Sequence, residues 1–143
     1  MIQVVVNGIP RPGGSKTPGR TRSGKLFVRD ANPLTAVWRE AVSKAAREQY
    51  QGELLEGPIL MFFEFRFPRP KAHYRANGQL KPNAETWHIN VPDLTKIIRS
   101  TEDALTGIVL KDDRYVCTRT ESKRYCEPGE EPGVTLKVIE IKD

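Results

Sequence analysis

The sequence has no apolar run long enough for a membrane-spanning helix, and it is poor in residues that build disulfide or zinc sites. Among its 143 residues are two cysteines and two histidines. Cys117 and Cys126 have no histidine close by, which argues against a zinc site, and as a lone pair they predict reduced thiols. Segment 2–6 (IQVVV) predicts a strand and lacks the pattern of a secretion signal. We therefore expect a cytoplasmic protein without membrane association.

Positive charge is in excess, with 23 Lys and Arg residues against 18 Asp and Glu, a net charge of +5. Such an excess favours polyanionic partners. Much of it lies in the Gly/Pro/Ser-rich segment 11–25, whose cations are Arg11, Lys16, Arg20, Arg22 and Lys25. A basic loop of this kind suits contacts to the sugar-phosphate backbone of DNA. A solvated loop without a partner is an equally open interpretation.

Residues 19–26 (GRTRSGKL) match most of the G-x-x-x-x-G-K-[ST] pattern of a nucleotide-binding loop. Leu26 stands where that loop needs a hydroxyl for magnesium, and a predicted strand follows where the loop needs a helix. The match is therefore rejected as a nucleoside-triphosphate site.

The hydrophobic pattern predicts five strands and two helices in the order β-β-α-β-loop-α-β-β. A three-and-four spacing predicts one helix from Asn32-Pro33 to about Tyr50, with apolar positions Leu34, Val37, Trp38, Ala41, Val42 and Ala45. A second helix ends at Gly107. The basic segment is predicted as the tip of a long hairpin between segments 2–6 and 26–28.

In the predicted strand 59–67, successive side chains alternate between the two faces of the sheet, which places five apolar side chains on one face. These are Ile59, Met61, Phe63, Phe65 and Phe67. The elements together predict one α/β (α+β-like) domain over residues 1–143. It has a mixed sheet of about five strands with two helices packed on one face.

Acidic residues flank the second helix in the stretch 92–113, PDLTKIIRSTEDALTGIVLKDD. Asp93 lies at a favourable N-cap position, and Asp112-Asp113 suit a simple turn. A chain reversal after the helix would instead bring Asp113 towards its polar side. Converging carboxylates there would form a hard oxygen site for Mg²⁺ or Mn²⁺. The residues alone leave both interpretations open.

The polar face of this helix carries Thr95, Arg99 and Asp103 at one-turn intervals. Arg99 either pairs with Asp103 on the surface or points with Lys96 towards a phosphate, where it would neutralise transition-state charge.

The long polar loop 71–90 precedes the second helix and contains two further candidates. His88 lies five residues before Asp93 and is the better functional candidate of the two histidines. Trp87 belongs either to the core or to a surface that stacks on a base.

The stretch 92–116, PDLTKIIRSTEDALTGIVLKDDRYV, resembles the central signature of RusA-like Holliday junction resolvases, a family common in phages and prophages. The usual pattern is P-D-x-D-N-x-x-K, then D-A-L-[NT], then a DD pair that enters a strand. VNGIP near the start, the basic loop, FRFPRPKAHY and a histidine shortly before PD extend the resemblance over most of the chain.

The resemblance implies a homodimeric, Mg²⁺-dependent endonuclease, with Mn²⁺ as a possible substitute, in a bacterial or phage-infected cell. It would cut two strands of a four-way DNA junction symmetrically. By position, the implied catalytic residues are Asp93, Asp113 and Arg99, and the implied metal ligands are Asp93, Asp113 and Asp112. The predicted DNA-binding residues are Lys16, Arg20, Arg22, Lys25, Lys96 and Arg99. Thr95 and His88 are predicted to contact and position these residues.

Three positions depart from the family pattern. Thr95 stands in place of the second acid and removes one negative ligand, Lys96 replaces Asn, and Arg99 replaces Lys, which changes a point charge into a planar fork. Thr95 motivates one alternative, a non-catalytic junction- or DNA-binding protein on the same fold. A separate alternative is a nuclease that acts on flaps, branched replication intermediates or damaged duplex.

Overall fold

The computed structural model describes residues 1–13, 16–30 and 32–142, and six strands and two helices lie within them. The strands are β1 (Ile2–Asn7), β2 (Lys16–Arg20), β3 (Leu26–Asp30), β4 (Ile59–Phe67), β5 (Val116–Tyr125) and β6 (Gly133–Glu140). The helices are α1 (Thr35–Gln49) and α2 (Leu94–Leu105). Short 3₁₀ turns cover Lys71–His73 and Asp113–Tyr115.

The main sheet has the order β1-β6-β4-β5, and β4 runs antiparallel to β6 and parallel to β5. The predicted α+β fold with a mixed sheet is confirmed, with four strands in that sheet. The predicted hairpin between segments 2–6 and 26–28 is wrong, because β1 pairs with β6, and β3 pairs with β2 in a separate two-stranded sheet. Pro10 and Pro12 lie three and five residues after the end of β1 and lack the amide donors with which a longer ladder would continue.

The core lies between one face of the sheet and the two helices. The predicted face of β4 is confirmed: Ile59, Met61, Phe63 and Phe65 are fully buried and Phe67 is 4 % exposed. The helices cover it with Trp38, Val42 and Ala46 from α1 and with Ile97, Ile98 and Leu105 from α2. None of the described helices has the length and apolarity needed to cross a membrane.

Helix α1 is turned slightly away from its predicted face. Trp38, Val42 and Ala46 recur every four residues and are buried, whereas Leu34 and Val37 are 44 % and 65 % exposed. Their prediction as part of the buried stripe is therefore wrong. Val37 lies beside the four-residue row, and Leu34 precedes Thr35, the first residue of the helix.

Asn32 also differs from its prediction as the helix cap. Its Oδ1 accepts a hydrogen bond of 2.9 Å from the amide of Leu34, so it orders the turn that precedes the helix. The helix itself begins at Thr35.

Phe63 and Phe62 form a matched pair for a stability measurement, because they are adjacent on β4 and face opposite sides of the sheet. Phe63→Ala should reduce the free energy of unfolding by about 3–5 kcal/mol, since it leaves a cavity in the core. Phe62 is only partly buried, with its ring centroid 5.2 Å from Nζ of Lys137, and Phe62→Ala should cost less than half as much. Urea unfolding of both variants measures the difference, and equal losses would contradict this account of the core.

Candidate functional site

Asp93 begins α2 without using its carboxylate as a cap. Its backbone is extended, with φ −65° and ψ 141°, and its carbonyl oxygen accepts from the amides of Lys96 and Ile97 at 3.1 and 3.2 Å. The side chain makes no cap hydrogen bond and is exposed. The sequence-based interpretation of Asp93 as an N-cap is therefore correct for the backbone only, and the carboxylate is free for another role.

The chain that leads to the basic hairpin crosses α2 at close range. Ser100 Oγ donates to the carbonyl of Arg11 at 2.6 Å, and the amide of Gly13 donates to the carbonyl of Lys96 at 2.8 Å. A Cβ atom on Gly13 would lie 3.0 Å from Cβ of Ser100, so this approach favours glycine. These contacts place the Arg11 backbone beside the first turns of the helix.

Asp93 lines a cavity of about 310 Å³ at the N-terminal end of α2. The cavity is lined by Pro10, Arg11, Pro12, Asn32, Val91, Pro92, Asp93 and Lys96. Two of these side chains are cations and one is an acid. The arrangement suits an anion next to a carboxylate, as at a phosphate group near a metal ligand.

Lys123 on β5 adds a third positive charge at this end of the helix. Its Nζ donates to the carbonyl oxygens of Asn90 and Pro92 at 2.6 and 2.7 Å, which fixes the chain just before Asp93. Burial lowers the pKa of Lys123, and the charge of Asp93 partly offsets that effect. The ammonium therefore holds the backbone in place while it lies within electrostatic range of the candidate ligand.

Asp113 lies in a different cavity, of about 410 Å³, at the start of β5. Its lining is almost entirely polar and consists of Glu102, Asp113, Val116, Cys117, Thr118, Arg119 and Glu121. Arg119 bridges two carboxylates there: Nη1 lies 3.3 Å from Oε1 of Glu102, and Nε lies 3.2 Å from Oε2 of Glu121.

Glu102 is a residue of this cavity that the sequence reasoning missed. It is 7 % exposed, and burial raises the pKa of its carboxyl although Arg119 opposes the shift. Asp113 and Asp103 raise that pKa further. The available signal was an acid four residues after Ile98 and three before Leu105, on the buried side of the helix.

The two cavities lie towards opposite ends of α2. Asp93 precedes Glu102 by nine residues, or about 14 Å along the helix axis, and Glu102 shares its cavity with Asp113. Within residues 1–13, 16–30 and 32–142 no three or more His, Cys, Asp or Glu side chains form a group that could hold a metal ion. Metal binding by Asp93 and Asp113 together thus stays a prediction, and a single chain does not present them in one cavity.

Asp112 serves as a cap in this structure. Its Oδ1 accepts a hydrogen bond of 2.9 Å from the amide of Arg114, and that bond lowers the pKa of its carboxyl. Oδ2 lies 3.9 Å from Nε of Arg114. The turn interpretation therefore accounts for Asp112, and its role as a metal ligand stays a prediction.

The polar face of α2 exposes Thr95, Lys96 and Arg99. The proposed surface pair between Arg99 and Asp103 is not formed, because Asp103 pairs instead with Arg39 of α1 at 3.3 Å. Arg99 makes no ion pair or hydrogen bond with any residue in the described part of the chain, so its guanidinium is available to a phosphate. Thr95 likewise presents its hydroxyl to solvent.

His88 and Trp87 take opposite positions in the loop that precedes α2. His88 is buried, stacked on Phe67 with ring centroids 4.0 Å apart, and burial lowers its pKa. Trp87 is 60 % exposed and does not belong to the core. Of the two interpretations of Trp87, only the surface one agrees with the structure, while a supporting role for His88 stays a prediction.

The basic hairpin β2–β3 presents Arg20, Arg22 and Lys25 to solvent around a tight turn. The amide of Thr21 donates to the carbonyl of Lys25 at 2.9 Å, and Nη1 of Arg20 donates to the carbonyl of Gly24 at 3.1 Å. The side chain of Lys16, at the start of β2, lies outside the described residues. The cations of the tip are therefore clustered on a preformed turn.

Comparison with known proteins gives one family. No match was found among curated proteins. The family model described as Endodeoxyribonuclease RusA matches residues 10–139, which include both cavities and the hairpin. That family comprises endonucleases that resolve Holliday junctions and that generally depend on a divalent metal ion. The chain belongs to the RusA endodeoxyribonuclease family and is a hydrolase that acts on DNA.

Proposed function

We propose that residues 1–143 form a Mg²⁺-dependent resolvase that cuts four-way DNA junctions symmetrically as a homodimer, with Mn²⁺ as a substitute for Mg²⁺. The family match carries this proposal. The carboxylate of Asp93, which makes no cap hydrogen bond, the position of Asp113 in a polar cavity and the free guanidinium of Arg99 support it. A cytoplasmic location in a bacterial or phage-infected cell accords with the free thiols of Cys117 and Cys126.

Each active site of the proposed dimer contains Asp93 of one chain and Asp113 of the other. The two carboxylates lie towards opposite ends of α2, and α2 runs antiparallel to β5, since Asp93 acts on Lys123 and Glu102 on Arg119. A twofold axis across this layer would place the Asp93 end of one chain beside the Asp113 end of its partner. Two identical sites then result, as symmetric cleavage of a twofold junction requires.

The residues of this site have separate roles in the proposal. Asp93 and Asp113 hold the metal, with Asp112 as a further candidate, while Arg99 and Lys96 bind the scissile phosphate and its developing charge. The chemistry that Mg²⁺ supplies when bound is a lower pKa for a coordinated water and a polarised phosphate. The hairpin cations hold the duplex arms.

The two alternative functions are treated differently by the family match. A non-catalytic DNA-binding protein is not favoured, because the family is one of endonucleases. Cleavage of flaps or other branched DNA is separated from junction resolution by a panel of substrates with equal arm sequences.

Mixing two inactive variants tests the shared active site. We expect Asp93→Asn and Asp113→Asn homodimers each to be inactive. A heterodimer of the two, isolated through different affinity tags, should nick one strand of a synthetic four-way junction. In it, one site keeps both carboxylates and the other loses both. Gel analysis of a junction labelled on each strand measures the product.

The matched control is a wild-type dimer with the same two tags, which should cut two strands. An inactive heterodimer beside an active control would place each site within a single chain. A chain that sediments as a monomer while it cleaves would also contradict the dimer.

Thr95→Asp should tighten binding of Mg²⁺ and Mn²⁺ severalfold, because it restores an anionic oxygen ligand. Thr95→Val, which keeps the shape and removes the hydroxyl, is the control and should show no gain. Titration calorimetry without DNA measures both. Unchanged affinity of the Thr95→Asp variant would place this side chain outside the metal's ligand shell.

Replacing Arg20, Arg22 and Lys25 together with alanine should weaken DNA binding and reduce the slope of log K against log salt concentration by about 2–3. Arg47→Ala on the exposed side of α1, where Arg47 pairs with Glu40 at 3.2 Å, is the control and should change neither. Fluorescence anisotropy over a salt series gives both quantities. A full slope in the triple variant would mean that the hairpin makes no phosphate contacts.

A further inference from the structure

Residues 86–92 lead into Asp93 along the free side of β5. The amide of Tyr125 donates to the carbonyl of Thr86 at 2.9 Å, and the amide of His88 donates to the carbonyl of Lys123 at 3.4 Å. Together with the bonds from Nζ of Lys123 described above, these contacts fix the backbone of the segment at several points.

Inward and outward side chains alternate along this segment. His88 and Asn90 both face Tyr125: the rings of His88 and Tyr125 meet edge to face at 5.1 Å, and Nδ2 of Asn90 donates to the tyrosine hydroxyl at 3.4 Å. The intervening side chains of Trp87, Ile89 and Val91 are 60 %, 77 % and 82 % exposed. These three residues are called the apolar row.

Exposed apolar side chains in such a series commonly mark a binding surface. The row adds nothing to the core, whose buried cluster contains none of its members. Its last residue, Val91, also lines the cavity of Asp93, together with the cations Arg11 and Lys96. An apolar surface that continues into a cationic cavity is complementary to a nucleotide, which has an apolar base face and an anionic phosphate.

We propose that the apolar row binds an unstacked base at the branch point of the DNA substrate, with Trp87 as the stacking residue. Arg11 and Lys96 bind the adjacent phosphates. The inference rests on the proposed function, because its ligand is the DNA of that reaction, and it adds a basis for selectivity. Bases of a continuous duplex are stacked inside the helix, whereas a branch point presents base faces at lower cost.

Charge favours DNA over a second copy of the chain as the occupant of the row. A copy seated there by a twofold axis through the row itself, which differs from the axis of the proposed dimer, would bring the Arg11 and Lys96 side chains of the two chains close together. Like charges at short range oppose such a contact. A phosphate backbone instead neutralises both sets.

The test compares binding to a four-way junction with binding to a linear duplex of the same sequence. Binding is measured by fluorescence anisotropy in the presence of EDTA, which removes divalent metal ions and so prevents cleavage during the measurement. Trp87→Ala should weaken junction binding by about 5- to 150-fold, the range for loss of one stacked base, and leave duplex binding unchanged. Trp87→Phe should retain most of the junction affinity.

Ile141→Ala is the control, because Ile141 is an exposed apolar residue, 38 % accessible, outside the row. It should change neither affinity. Equal affinity of wild type and Trp87→Ala for the junction would overturn the inference, as would equal losses on junction and duplex. A change in oligomeric state of Trp87→Ala, measured by light scattering, would instead assign the row to contacts between chains and would also overturn it.

Cleavage by the wild-type chain in Mg²⁺ is measured separately. Failure to cleave would contradict the proposed function, whereas unchanged junction binding by Trp87→Ala in an active enzyme would contradict the base-binding surface alone.

Discussion

The packing of α2 against α1 and β5 determines where each candidate functional group lies. Ile97 and Ile98 are buried in the core, and Nε1 of Trp38 donates to Oγ1 of Thr101 at 3.1 Å inside it. This buried face fixes the rotation of the helix and leaves Thr95, Lys96 and Arg99 at the surface. Because α2 runs antiparallel to β5, its start lies near Lys123 and its end near Arg119. This packing therefore holds Asp93 and Asp113 in place and also keeps them in separate cavities.

Strict local patterns made part of this fold predictable. The alternation in β4 and the apolar spacing of α2 each reflect one core face, and both gave the correct element. Strand β2 was missed because its sequence, KTPGR, contains Pro18 and Gly19, which predict a loop. The structure explains the glycine, since a Cβ atom there would lie 2.6 Å from Cζ of Phe27. Such a contact depends on a pairing that a single segment does not specify.

The sequence names candidate acids whose roles stay predictions, and it does not predict how these acids are arranged. Acids that flank a helix in the sequence lie at its two ends, and only the return of the chain decides whether they meet. Here the return is tight, with the amide of Gly107 bonded to the carbonyl of Leu110 at 2.7 Å, and it ends beside Glu102. Glu102 itself was hidden because it occupies a buried helical position, where its pairing with Arg119 replaces apolar contact. The proposed site also needs a partner chain, and the sequence of one chain does not specify how that partner is placed.

The contacts of Arg11 and Gly13 with α2 have a consequence for the basic hairpin. They tie the chain to the body of the protein shortly before β2 begins, so the hairpin extends from a fixed anchor. A strand of five residues is about 16 Å long, equal to about five base-pair steps at 3.4 Å. In the proposed complex, the length of these strands therefore limits how far along a DNA arm the hairpin cations can contact the backbone. Junctions whose arms are shorter than this span would lose those contacts first.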